Sequence, residues 1–161
     1  MLEFLILYIL KIKSSNIYEI KKLIDEKFLP YLQVSSGAII PALKRLENTE
    51  AVISEKQISQ GGLRKNFYSI TENGEKIFSN FLLESFNASP QLVRRELEVL
   101  IMLINDENFS DEQQVALKIK IIDGIDILIK LLKKSISNNK MNIAYLQAEL
   151  LFWENQLNNM R

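Results

Sequence analysis

The stretch VSSGAIIPALKRLENTEAV at residues 34–52, followed by QGGLRKNFYSITENGEKIF at residues 60–78, decides the fold of this chain. In the first stretch Ile39, Leu43 and Leu46 recur at spacings of four and three, which predicts a helix with one buried face. In the second, two glycines precede a run rich in aromatic and β-branched residues, which is typical of a hairpin strand. A helix followed by a two-stranded hairpin is therefore expected.

The flanking residues predict further helices. The N-terminal run MLEFLILYILKI is apolar almost throughout and suits a buried helix that ends near Lys11. A second helix follows, with Ser14, Ser15 or Asn16 as its cap, and a fourth begins after Thr71. VISEKQI and NFYSI would form the two strands, joined by a Gly-Gly loop. This order predicts a winged helix-turn-helix, whose third helix enters the major groove of DNA and whose wing tip lies on the backbone or the minor groove.

The third helix carries the strongest candidates for contact with DNA. Ser35 or Ser36 would cap it, and it would end near Glu50. Opposite its apolar face, the outward side ends in Lys44 and Arg45, where a groove-reading helix needs cations beside the phosphates. The alternative is a solvated helix end, because a lysine near a helix C-terminus is favourable in any case.

The wing and the second helix supply the remaining candidates. Arg64 and Lys65 would lie at the tip of the hairpin, where glycines let the backbone approach DNA, although charges also protect exposed strand edges. Tyr18, Lys21 and Lys22 would clamp phosphates from the second helix, with a place in the core as the alternative for Tyr18. The full set of candidate DNA contacts is Tyr18, Lys21, Lys22, Ser35, Ser36, Gly37, Ile40, Lys44, Arg45, Gly61, Gly62, Arg64 and Lys65.

Composition narrows the class of function. The chain has 161 residues and a mass of 18.7 kDa, enough for one domain with an extension or for two small units. It contains no Cys and no His, which excludes disulfides and thiol nucleophiles and removes the commonest general base and metal ligand. An enzyme is therefore disfavoured, and neither a cofactor nor a metal is predicted. Twenty basic residues balance twenty acidic ones, so DNA binding would rest on local patches.

The N-terminal apolar run is too short for a membrane span, which needs about 20 residues. It also carries Glu3 and lacks the basic start of a signal peptide. A cytoplasmic protein without a membrane partner is expected.

The third helix, the wing and the segment NIYEIKKLI together resemble the PadR family of bacterial transcriptional regulators. The residues that match the family motifs are Gly37, Ile39, Pro41, Leu43, Lys44, Leu46 and Glu47 in the helix, and Gly61, Gly62, Arg64, Lys65, Tyr68, Thr71 and Gly74 in the wing. The chain departs from the family pattern at Ala38 and Ile40, which replace a Ser and a Tyr that commonly touch phosphates or bases in the family. The resemblance implies a mainly α protein with a DNA-binding domain at residues 1–86 and a helical dimerisation and effector domain at residues 87–161.

The C-terminal half is predicted to form long helices. One of them, capped by Ser110 or Asp111 and running to about Ser137, repeats apolar residues at spacings of three and four, as in a coiled-coil seam. So much apolar surface is hard to hide in one small chain, which favours a homodimer. The predicted interface residues are Ile119, Ile122, Ile125, Ile129, Leu132, Leu150, Trp153 and Leu157.

Three aromatic residues of the last helix suggest a second use of this region. Tyr145, Phe152 and Trp153 could line a pocket for a small aromatic effector, as in some PadR proteins. The alternative is that they belong to the core or the dimer interface, as aromatic residues at helical spacing more often do.

The function predicted from these features is that of a homodimeric, sequence-specific DNA-binding regulator of the PadR type. Its partners would be double-stranded operator DNA, a second copy of the chain and a small effector that relieves repression. The alternative is a winged helix that binds only other proteins, which the zero net charge and the two departures at Ala38 and Ile40 favour.

Overall fold

The computed structural model describes residues 1–29, 31–58, 64–86, 90–138 and 143–160. The chain divides into two compact units, residues 1–82 and 83–161, and each is described by itself. The elements, in chain order, are α1 (Leu2–Ile12), α2 (Ile17–Phe28), α3 (Ser36–Asn48), β1 (Val52–Ile58), β2 (Arg64–Ile70), α4 (Glu72–Leu83), α5 (Pro90–Ile101), α6 (Asp111–Asn138) and α7 (Ile143–Met160). The predicted mainly α fold, a winged helix-turn-helix followed by C-terminal helices, is confirmed.

Helix α1 forms the centre of the N-terminal unit. Its residues from Phe4 to Leu10 are all buried, because a helix that is apolar on every side must be covered on every side. Phe4 stacks on Phe78 and Phe81 of α4, with ring centroids 4.8 and 4.3 Å apart. These contacts fix the last helix of this unit against the first.

The start of α2 is tied to the second strand. Asn16 is the cap: its side chain accepts the amide hydrogen of Glu19, and the Glu19 carboxylate accepts that of Asn16. The preceding residue, Ser15, exchanges two backbone hydrogen bonds with Tyr68 of β2, at 3.1 and 3.0 Å. The N-terminus of α2 therefore lies beside the wing.

Helix α3 has the predicted buried face and a shorter C-terminal end than expected. Ile39, Leu43 and Leu46 are almost completely buried, and the Ser35 side chain accepts the amide hydrogen of Ala38 as the N-cap. The helix ends at Asn48 rather than near Glu50. Glu50 has a φ of 56°, a left-handed conformation that turns the chain into β1.

The wing is an antiparallel pair in which Val52 faces Ile70 and Ile58 faces Arg64. Its base is fixed by Thr71, whose hydroxyl donates to the carbonyl of Glu50 at 2.6 Å and accepts the amide hydrogen of Gly74 at 3.1 Å. A Cβ atom on Gly74 would lie 2.1 Å from the carbonyl oxygen of Ala51, so only glycine fits there. The predicted Gly-Gly loop, with Gly61 and Gly62, lies outside the described residues.

In the C-terminal unit, α6 packs with α5 and α7 through a face that includes Leu117, Ile121 and Leu128. The repeat predicted as a seam is exposed at its first two residues, half-buried at the third and seventh, and buried at the fourth to sixth: Val115, Ile119, Ile122, Ile125, Ile129, Leu132 and Ile136. Spacing alone does not select the buried side, because α6 has isoleucine or leucine on most of its circumference. Ser110 is the cap of α6, since its side chain accepts the amide hydrogen of Gln113 at 3.3 Å.

A buried lysine joins the first residues of this unit to its helices. The Lys120 Nζ atom donates to the carbonyl oxygen of Glu84 at 2.6 Å, lies 4.7 Å from the ring centroid of Phe86, and is 4.0 Å from the Glu96 carboxylate. Burial lowers the pKa of Lys120 and raises that of Glu96, while their mutual attraction opposes both shifts. A Cβ atom on Gly124 would lie 2.4 Å from the Phe86 ring, so the glycine makes room for it.

Within the ranges given above, no helix is long and apolar enough to cross a membrane. Among the same residues, no group of three or more carboxylates is placed to hold a metal ion.

Candidate nucleic-acid interface

Helix α3 presents an exposed strip, here named the recognition strip. The residues of the recognition strip are Gly37, Ile40, Pro41, Lys44 and Asn48. At about 100° per residue, Gly37, Pro41, Lys44 and Asn48 share the side opposite the buried face, and Ile40 flanks them. The recognition strip is therefore exposed on the N-terminal unit, where a binding partner can contact it.

The two basic residues at the end of α3 differ in their surroundings. The Arg45 Nε atom donates to the Glu3 carboxylate of α1 at 2.6 Å, a contact that the sequence did not predict. Lys44 is exposed, and among the described residues no carboxylate pairs with it. Exposed ion pairs contribute only about 0–1 kcal/mol, so a phosphate could displace Glu3 from Arg45. Lys44 needs no such exchange.

A cleft of about 410 Å³ lies between the N-terminus of α2 and β2. It is lined by Asn16, Ile17, Tyr18, Arg64, Lys65, Asn66 and Tyr68. The structure thus brings Tyr18, Arg64 and Lys65, three predicted DNA contacts, to one place. Tyr18 is 72% exposed, which removes the alternative that it belongs to the core.

The electrostatics of this cleft favour an anion. The Glu19 carboxylate in the capping box already offsets the partial positive charge at the N-terminus of α2, so the positive charge of the cleft comes from side chains of the wing. Arg64 and Lys65 add two cationic side chains, both exposed, and among the described residues neither is paired with a carboxylate. A phosphate group has the charge and the acceptor oxygens that such a site binds.

The lysines on α2 are already paired along their own helix. Lys21 contacts Asp25, and the Lys22 Nζ atom lies 3.6 Å from the Glu26 carboxylate, each four residues further on. Asp25 and Glu26 follow these lysines at helical spacing, so the sequence contains the signal for both ion pairs. A phosphate would have to displace these carboxylates, as at Arg45, whereas Lys44, Arg64 and Lys65 have no carboxylate partner among the described residues.

Packing within the fold does not require a glycine at position 37, one of the predicted DNA contacts. A Cβ atom there would meet only the Ser35 hydroxyl oxygen, at 3.8 Å, an ordinary van der Waals distance. Glycine within a helix costs about 0.5–1 kcal/mol relative to alanine. Ser35 acts as the cap, whereas Ser36 is the first, exposed residue of the helix.

The predicted dimer-interface residues separate into buried and exposed ones. Ile119 is exposed and Ile122 and Leu150 are half-buried. The others pack inside this chain's own C-terminal unit: Ile125, Ile129, Leu132, Trp153 and Leu157. These five side chains are covered within the single chain, and their place in a dimer interface stays a prediction.

The three aromatic residues proposed for an effector pocket are not enclosed together. Trp153 is 2% exposed, whereas Tyr145 and Phe152 are 64% and 51% exposed. Only Phe152 and Trp153 stack, edge to face, with ring centroids 5.0 Å apart. Tyr145 lies two helical turns away, so a pocket that uses all three residues stays a prediction.

A different cavity, of about 430 Å³, opens at the other end of α7. Its lining residues are Ile101, Ile104, Asn105, Gln114, Val115, Lys118, Gln156, Asn159 and Met160. No sequence pattern indicates this cavity, because its walls come from three separate segments of the chain.

The comparisons with known proteins agree with this geometry. Residues 6–80 match the family model described as Transcriptional regulator PadR-like family, which confirms the resemblance seen in the sequence. None of the curated proteins is significantly similar to the chain.

Several solved structures are similar to this one. The crystal structure of Bacillus subtilis PadR in complex with operator DNA is 17% identical, covers 99% of this chain and 93% of that one, and has a TM-score of 0.51, so the two share a fold. A PadR family transcription regulator from Clostridium difficile R20291 is 26% identical over 63% of this chain and 96% of that one, with a TM-score of 0.46. A transcriptional regulator from Clostridium thermocellum is also 26% identical, over 49% and 76%, with a TM-score of 0.46.

Proposed function

We propose that this chain, whose residues 6–80 match the PadR-like family, is a homodimeric, sequence-specific DNA-binding repressor of transcription. The observation that carries DNA binding is the convergence of Tyr18, Arg64 and Lys65 on one cleft at the N-terminus of α2. An anion held there would be a phosphate of the DNA backbone. The structure of Bacillus subtilis PadR with operator DNA supports the proposal, because it places that ligand on a chain with the same fold.

The two exposed features of the N-terminal unit have different tasks in this proposal. The recognition strip of α3 enters the major groove, where base edges can be read. The cleft holds a phosphate and sets the position of α3 along the duplex, since phosphate contacts fix register while base contacts specify sequence. The N-terminal unit has eleven basic and nine acidic residues, so binding depends on these local groups and not on a strong overall field.

The C-terminal unit supplies the dimer contact. Val115 and Ile119 on α6, and Tyr145, Leu151 and Phe152 on α7, are apolar or aromatic and largely exposed. A second copy of the chain that covers them would remove this surface from water. Two winged helices joined in this way would read half-sites one helical turn of DNA, about 34 Å, apart.

A small effector would relieve repression by changing the separation of the two recognition helices. It can do so only by the difference in its affinity for the two dimer conformations. The aromatic side chains of α7 and a partner chain would form its pocket, in the cytoplasm where the operator is found.

Fluorescence anisotropy with labelled duplex DNA tests the proposal. The DNA upstream of the protein's own gene is compared with a scrambled duplex at two salt concentrations, because each neutralised phosphate steepens the salt dependence. Arg64→Ala and Lys65→Ala should each weaken binding about 5- to 150-fold if they hold a phosphate, which corresponds to about 1–3 kcal/mol. Lys130→Ala, an equal charge loss on an exposed position of α6, is the matched control and should leave affinity unchanged.

The alternative function makes a different prediction for the same assay. A winged helix that binds only proteins would bind both duplexes equally and weakly, with little effect of Arg64→Ala or Lys65→Ala. Sedimentation velocity on the same samples shows whether the protein is a dimer, so that failure of DNA binding is separated from failure of assembly.

A further inference from the structure

Ile40 is a large apolar side chain at the edge of the recognition strip, beside the buried face of α3. It is 43% exposed on the recognition strip, between Gly37 three residues before it and Lys44 four residues after it. A single exposed apolar residue needs no explanation in general. Its position is what matters here, because the recognition strip is the part of α3 that would face the base edges.

The surroundings of Ile40 leave it accessible to a base. Gly37 has no side chain to cover it, and a Cβ atom there would meet nothing closer than 3.8 Å, so this turn of the helix is open on the outside. The branched side chain of isoleucine has essentially one χ1 rotamer in a helix. Ile40 is therefore a preformed apolar contact that loses little conformational freedom when a partner packs against it.

The chemistry of the major groove identifies the base. Every base pair presents hydrogen-bond donors or acceptors there, and thymine alone adds an apolar group, its C5-methyl. Isoleucine can neither donate nor accept a hydrogen bond from its side chain. Placed over an amino or carbonyl group it would leave that group without a partner, whereas placed over a methyl group it buries apolar surface on both sides.

We propose that Ile40 selects a thymine in each operator half-site by packing on its C5-methyl group, while Lys44 binds the neighbouring phosphate or guanine. This inference rests on the proposed function, since it requires α3 to lie in the major groove. It gives the operator one thymine per half-site that is read without a hydrogen bond.

Replacement of thymine by deoxyuridine tests the inference, because it deletes only the methyl group. An operator is selected from random duplexes with the full-length protein, and each thymine in turn is replaced by deoxyuridine in fluorescein-labelled duplexes. At one position per half-site the wild-type Kd should rise about fourfold, the value of one buried methyl group. Ile40→Ala should bind the thymine and deoxyuridine duplexes equally at that position.

Two controls assign the effect to Ile40. Lys44→Ala should bind more weakly overall but keep the difference between thymine and deoxyuridine. Thermal melting of Ile40→Ala shows whether the variant stays folded at the titration temperature, which is expected because the side chain is already 43% exposed and alanine favours a helix.

The outcomes separate this inference from the proposed function. If the protein binds the selected operator but deoxyuridine lowers the affinity at no position, the thymine contact is overturned. The proposed function as a DNA-binding regulator is then unaffected. A methyl effect that persists in Ile40→Ala assigns the contact to another residue and overturns the inference as well. If no duplex is selected, the proposed function itself fails.

Discussion

Replacement of Gly37 by alanine should make the protein more stable and a weaker DNA binder. The added Cβ atom meets only the Ser35 hydroxyl oxygen at 3.8 Å, so the folded chain accepts it without strain. Alanine in a helix is favoured over glycine by about 0.5–1 kcal/mol, because the unfolded glycine has more conformations to lose. For a chain of this size, that corresponds to a rise in Tm of about 1–4 °C.

The expected loss of DNA affinity comes from the contact between α3 and DNA, and not from a change in the fold. Gly37 lies on the recognition strip in the first turn of α3, where the backbone itself would approach DNA. A methyl group there holds the helix away from the groove and removes at least one base or phosphate contact, worth about 1–3 kcal/mol or about 5- to 150-fold in Kd. Thermal unfolding followed by circular dichroism gives the first quantity, and fluorescence anisotropy with the selected operator gives the second.

Two further variants control this experiment. Asn80→Ala, at an exposed position of α4, also improves helix propensity and should raise Tm slightly without changing Kd. Gly74→Ala should lower Tm strongly, since its Cβ atom would lie 2.1 Å from the Ala51 carbonyl oxygen. A Gly37→Ala protein with raised Tm and unchanged Kd would refute the close approach to DNA, and one with lowered Tm would refute the packing argument.

Three other perturbations follow from the structure. Glu3→Gln frees Arg45 from its ion pair and should strengthen DNA binding by up to about fivefold in an anisotropy titration; weaker binding would show that Glu3 positions Arg45 for its contact. Phe152→Asp should shift the dimer to monomer in sedimentation velocity without unfolding the chain, because the side chain is half exposed. The control Gln91→Asp, at an exposed position of α5, should leave the dimer intact. Equal effects of the two variants would place the interface elsewhere. Because burial raises the pKa of folded Glu96 above 4.5, the folded state retains this proton better than the unfolded one, and the free energy of unfolding should fall as pH rises from 4.5 through the folded pKa. Urea unfolding at several pH values should show that fall in the wild type and not in Glu96→Gln, and an unchanged profile would exclude Glu96 as its source.

Local chemistry explains why the N-terminal fold could be read from the sequence. The buried face of α3, its Ser35 cap and the Thr71 cap of α4 depend on residues within four positions of one another. Helical spacing and capping side chains act over that range, so they leave a pattern in the sequence. The predicted order of helices and wing strands was therefore confirmed, and only ends such as that of α3 were displaced.

The pairing of the site residues was decided by the tertiary structure. Glu3 and Arg45 are 42 positions apart, and nothing in either segment indicates that their side chains meet. Tyr18 and the wing residues Arg64 and Lys65 share a cleft because Ser15 pairs with Tyr68, a contact between segments more than fifty residues apart. Composition supplied the cations, but only the packing shows which of them already have a carboxylate partner.

In the C-terminal unit, the sequence determined the helices and the tertiary structure determined which face of α6 is buried. Its sequence determined that long helices form there, because isoleucine and leucine repeat at helical spacing over the length of α6. It did not determine which side of α6 is buried, because apolar residues occupy most of the circumference and several faces satisfy the same periodicity. The packing of α5 and α7 made that choice: it covered Leu117 and Ile121, took Lys120 inside with Glu84, and left Ile119 exposed. Burial of apolar surface is favourable whichever face of the helix is covered, so the buried face is selected only when the neighbouring helices are in place.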